Sequence, residues 1–205
     1  MFRQWIKFLL VFLLALPVAA EQSDPQQMVR DTVTAVLAEI EEKRSKLEAD
    51  PVAIYPLVDR LINPHFDFAG MTRSAVGKHW RKASKEQQAR LIEEFRELLV
   101  GTYGSALLNY SGQEVEYAPV RYKKGAKKAV VKTKIVDAKA PPLDVNYSVR
   151  WKNDVWKIYN VEIANIKLTI NYRGSFDSIV KKQGIEGLIE NLTTKNEENR
   201  SAKSS

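Results

Sequence analysis

The chain predicts an α+β fold: helices first, then one antiparallel sheet, then helices again. Three observations carry that prediction. Apolar residues recur at three- and four-residue steps from Asp24 to Tyr110. From Ser111-Gly112 the period becomes two and holds to Ile163. Beyond Leu168 the helical step returns. The strands follow one another through short connections, so about four of them pair antiparallel. A long helix lying on a curved antiparallel sheet makes a cone with an open end, a natural place for an apolar cavity.

The first element is an address. Arg3 and Lys7 precede the apolar run Phe8 to Leu16, followed by Pro17, small residues at Val18 and Ala20, and an abrupt polar switch at Glu21. This is the pattern of a secretory signal peptide over residues 1–20, cut after Ala20. The run is too short for the ~20 residues of a membrane span. Removing twenty of 205 residues leaves 185, and losing Arg3 and Lys7 takes the charge from +7 to +5. The expected domain is 21–194, followed by a disordered polar tail, 195–205.

Asp24-Pro25 is a cap followed by proline at the first helical position. Met28, Val29, Thr32, Val33, Val36, Leu37 and Ile40 give an amphipathic helix to about Leu47. Asp50-Pro51 repeats the start, and Asn63-Pro64 stops the second helix. A short third helix runs from Asp67 to Val76, with Gly77 as its stop. Ser84 and Gln87 form a capping box for a long helix that ends near Tyr110. In the strands, Val115 and Tyr117, then Val131, Thr133 and Ile135, then Val145 to Trp151 alternate with polar residues. Asn153-Asp154 turns the chain into a fourth strand, Val155 to Ile163. A helix from about Leu168 to Gln183 is interrupted by Gly184 and resumes through Ile185, Leu188, Ile189 and Leu192.

Composition narrows the chemistry. With no cysteine, a disulfide, a thiolate-bound zinc and a thiol nucleophile are excluded. Two histidines, His65 and His79, do not make a His-rich metal site. No phosphate-binding glycine loop or nucleophile elbow is present. His65, His79 or Asp67 could act as a base, but no serine or carboxylate stands at a telling spacing. Surface or capping roles suit them better. Asp67 with Arg73 could pair along a helix; an N-terminal Asp favourable to the helix dipole is the plainer reading. Arg121, Lys123, Lys124, Lys127, Lys128, Lys132, Lys134 and Lys139 gather around one hairpin. They read equally as attraction to an anionic membrane or acidic partner and as lysines guarding a sheet edge. Export makes nucleic acid an improbable partner. By patterning alone, Tyr147, Val149, Trp151, Trp156 and Ile158 read as plain core.

The order and spacing of certain residues add more. Leu57-Val-Asp59, Pro64-His-Phe-Asp67 with Met71, Val76-Gly77 and Trp80-Arg81 come first. Gln88, Phe95-Arg96, Leu98-Leu99, Thr102-Tyr103, Leu107 and Tyr110 follow on the long helix. Val145-Asn-Tyr147, Trp156-Lys-Ile158, Asn171-Tyr-Arg173, Phe176 and Gly184-Ile185 complete the set. Together they resemble the MlaC/toluene-tolerance family of periplasmic phospholipid-binding proteins along nearly the whole mature chain. The resemblance implies an NTF2-like fold, a curved sheet wrapped by helices around an apolar cavity that holds glycerophospholipid acyl chains. It implies no cofactor beyond bound phospholipid as cargo, and no enzyme activity. The implied partners are an outer-membrane lipoprotein–porin complex and an inner-membrane ABC transporter with an MCE-domain subunit, served by a monomer that maintains outer-membrane lipid asymmetry. Within it, Leu61, Phe66, Leu98, Leu99, Tyr103, Leu107, Tyr147, Val149, Trp151 and Ile163 are expected to line or close the cavity. The segment Ala164-Asn-Ile-Lys-Leu168 departs from the small-residue junction usual in the family, and Lys167 there reads as a solvated lysine or a phosphate contact. The competing readings are an envelope adaptor docking through the basic hairpin, a hopanoid or other apolar-lipid binder, and a small-molecule enzyme with an NTF2-like pocket.

Overall fold

The computed structural model describes residues 23–204 apart from 124, so the signal-peptide segment lies outside the described residues. Helices α1 (Pro25–Glu42), α2 (Arg44–Ala49), α3 (Ile54–Leu61), α4 (Phe68–Val76) and α5 (Lys85–Leu108) come first. Strands β1 (Glu114–Tyr117), β2 (Lys128–Asp137), β3 (Ala140–Lys152), β4 (Val155–Ile163) and β5 (Ile166–Lys167) follow, then α6 (Leu168–Asn171) and α7 (Arg173–Ser204). The α+β fold is as the sequence predicts, with differences in detail.

Polar caps set the helix starts. The Asp24 carboxylate accepts from the Gln26 N–H at 2.9 Å, and Asp67 accepts from the Gly70 N–H at 3.1 Å. Ser84 and Gln87 cap each other reciprocally at 3.2 and 3.1 Å. The first predicted helix breaks at Lys43, whose φ of −104° and ψ of 16° leave the helical region.

The sheet is an antiparallel meander in the order β1-β2-β3-β4-β5. It has five strands rather than about four. The fifth is a two-residue strand made by a tight hairpin in which Ala164 and Asn165 take φ of 48° and 66°. Asn tolerates that region, so the replaced junction still turns sharply. Asn153 and Asp154 make the same kind of turn between β3 and β4.

The polar tail is a second correction. Residues 195–204 continue α7, which bends at Gly184 (φ 75°, ψ −176°), a conformation open almost only to glycine. Past the bend, α7 runs parallel to α5, with a polar seam. Asn196 is buried and donates to the Glu94 carbonyl at 2.9 Å, and Arg200 pairs with Glu97 at 2.5 Å. Composition alone suggested disorder; a neighbouring helix supplies the partners that these polar groups need.

Candidate functional site

The pairing register sorts the inward face of the sheet into rows. The first is Trp151 with Trp156, and the next is Ala129, Val149 and Ile158. Then come Val131, Tyr147 and Val161, followed by Tyr117, Thr133, Val145, Ile163 and Ile166. The last is Val115, Ile135 and Leu143. Burial falls along this series. Val149 and Ile158 are 0% and 1% exposed, whereas Leu143 and Ile166 are 38% and 54%. The inward face is sealed at the tryptophan end and open at the Leu143 end.

Tyr147 breaks the gradient. It lies in the middle of the central strand, between Val131 and Val161, both buried, yet it keeps accessible surface itself. Its phenol is raised well above the ordinary range because its surroundings are apolar. Trp151 and Ile163 on the same face are half-buried as well, so the inward face is not closed along its whole length. Tyr103 on α5 is also half-buried, and burial together with Tyr172 pushes its phenol up to about 12. Thr133, beside Tyr147, spends its hydroxyl proton on the Val145 carbonyl at 2.7 Å.

Of the ten predicted lining residues, Leu98, Leu99 and Val149 are buried in the main core. Phe66, Tyr103, Tyr147, Trp151 and Ile163 pack half-buried around it. Leu61 and Leu107 lie instead against a second cluster formed by α1, α3 and α5, with Val36, Ile54 and Val58. Tyr117, Ile135 and Tyr172 share the main wall and were not among the ten. The alternation of β1 and β2 carried the signal for the first two, while Tyr172 sits where strand and helix periods overlap.

Two of the three candidate bases are held by partners. His79 is buried, its Nε2 2.7 Å from Asp177 Oδ1. Asp67 pairs with Arg150, and with Lys152 at 3.2 Å, rather than with Arg73. His65 is half-buried, which together with nearby Lys157 lowers its pKa. Lys167 is exposed, 3.8 Å from Glu162. Among the described residues, no group of three or more His, Asp or Glu could hold a metal ion. A cleft of about 480 Å³ between α3, α5 and α7 is lined by Tyr55, Asp59, Arg60, Arg96, Glu97 and Arg200, and by none of the ten.

Comparison with known proteins agrees with this geometry. The family model described as MlaC protein matches residues 30–194. The toluene tolerance protein ttg2D of Pseudomonas putida is 31% identical over 180 residues, covering 86% of this chain and 82% of that protein. The intermembrane phospholipid transport system binding protein MlaC of Haemophilus influenzae is 22% identical, over 90% and 87% of the two chains. A phospholipid-binding protein from Ralstonia solanacearum, solved in complex with a phospholipid, superposes with a TM-score of 0.81. It is 30% identical and covers 86% of this chain and 99% of its own. Coverage of this extent places the chain in the MlaC family.

Proposed function

We propose that this protein is a periplasmic phospholipid carrier that encloses acyl chains beneath the inward face of its sheet and releases them through the Leu143 end. One observation carries the reading: the apolar inward face keeps accessible surface at Tyr147, in the middle of the central strand, and becomes exposed toward Leu143 and Ile166. The phospholipid-bound relative supports it. Hiding a chain of ~15 methylenes from water is worth ~12 kcal/mol at ~0.8 kcal/mol per CH₂. That gain needs apolar walls and no reactive group. In this reading the protein makes and breaks no bonds. Eight of the ten lining residues, from Phe66 to Ile163, surround the cargo, and Leu61 and Leu107 support α3 and α5 behind it. Residues 1–20 direct export and are removed. The carrier moves between an outer-membrane complex and an inner-membrane ABC transporter.

Native mass spectrometry of the purified protein, before and after delipidation, tests this. The expected result is a bound mass of a diacyl phospholipid that is lost on delipidation and regained on incubation with lipid. A protein that carries no lipid and takes none up would overturn the reading.

A further inference from the structure

The outward face of the sheet is charged unevenly. Near the open end, Lys134 stands between Glu116 and Asp144 in one cross-strand row, a balanced arrangement. Near the sealed end, Lys128, Arg150 and Lys157 stand side by side across three strands. Strands lie ~4.8 Å apart, and like charges directly opposite one another are destabilising. Asp67 answers Arg150, and Lys157 donates to the Pro64 carbonyl. Nothing similar relieves Lys128. Among the described residues, no ion pair engages Arg121, Lys123, Lys127, Lys128 or Lys132. The nearby acids are Asp154 at the β3–β4 turn, Asp24 beside Tyr122, Glu162 across Asn146 from Lys132, and Glu116 opposite Lys134. Val130, 47% exposed, stands between Lys128 and Lys132 on the outward face, while Tyr122 packs edge-on against Trp156.

Arg121, Lys123, Lys127, Lys128 and Lys132, without ion-pair partners among the described residues, leave this part of the sheet positive and complementary to an anionic surface. We propose that the sealed end of the sheet, centred on Lys128 and Lys132, docks on an anionic phospholipid bilayer. The face is an open strand surface with the exposed aliphatic Val130 between its lysines. That mixture of cations and apolar surface suits the interface of an anionic bilayer. The inference does not depend on the cargo.

Co-sedimentation with vesicles of phosphatidylcholine, alone or mixed with phosphatidylglycerol, tests it, with lipid uptake followed in parallel by mass so that extraction is separated from docking. The expected result is binding only to the mixed vesicles, weakening as salt is raised. Lys128→Gln and Lys132→Gln should each lower the bound fraction about five-fold, whereas Lys46→Gln on α2 should leave it unchanged. Equal binding to both vesicles, or full binding by the double variant, would overturn the proposal. So would capture by a polyglutamate peptide without binding to the mixed vesicles; the patch would then serve an acidic protein segment.

Discussion

At the tryptophan end of the sheet, Val149, Ile158 and Trp156 are sealed beneath helices, with α4 packed on β4. Trp156 donates its indole N–H to the Ser23 carbonyl at 2.7 Å and meets Trp151 edge-on at 5.5 Å. At the Leu143 end, β2, β3 and β4 carry equally apolar residues on the same face, but Leu143 and Ile166 stay exposed. Strand pattern is shared, so helix coverage alone separates the two ends. Apolar surface at the sealed end stabilises the protein; at the open end it stays exposed to water.

This contrast can be broken most forcefully at Trp156. Trp156→Ala should cost ~3–5 kcal/mol in chemical denaturation, while Leu143→Ala should stay within ~0.5 kcal/mol. Similar losses at both positions would mean that the open end is part of the core. Overpacking probes the space between them. Val149→Trp and Leu99→Trp should each cost ~1–3 kcal/mol and reduce copurifying phospholipid in native mass spectra. A variant that folds and carries a normal lipid load removes that residue from the cavity wall.

The phenols of Tyr103 and Tyr147 sharpen the comparison further. Tyr103 is raised to about 12 by burial and by Tyr172, so its neutral form is favoured in the folded state. Its stabilising contribution is complete below the unfolded value near 10 and is lost as pH rises through 12. In an ultraviolet titration, Tyr103 and Tyr147 should ionise after the other tyrosines, and Tyr103→Phe should remove one late step. The smallest effect lies outside both ends. Lys181, His79 and Lys78 hold the Asp177 carboxyl well below the ordinary carboxylate range. That contribution is present above about pH 4 and lost as pH falls further. Asp177→Asn should therefore be less stable than the parent near neutrality, with the difference fading in acid.

Local rules reached far into this chain. Asp24, Asp50, Asp67 and Ser84 start helices where their side chains predict, because capping is decided within four residues. Strand alternation located the inward face for the same reason. Two things were not legible. Residues 195–204 read as a solvated tail, since only the spatial closeness of α5 satisfies Asn196 and Arg200. Leu61 and Leu107 fit the same apolar periodicity as Leu98 and Leu99, yet they pack into another cluster. Periodicity tells which face of a helix is apolar and is silent on which neighbour covers it.

From Leu143 at the rim to Val149 at the sealed row, β3 advances six residues, about 20 Å of wall. Half the hydrocarbon core of a bilayer is about 15 Å deep. An acyl chain seated along that wall thus exchanges one apolar envelope for another of similar depth. On the proposed reading, exchange between leaflet and protein would be close to balanced in free energy. A net flux of lipid must be imposed by whatever performs work at one terminus of the journey.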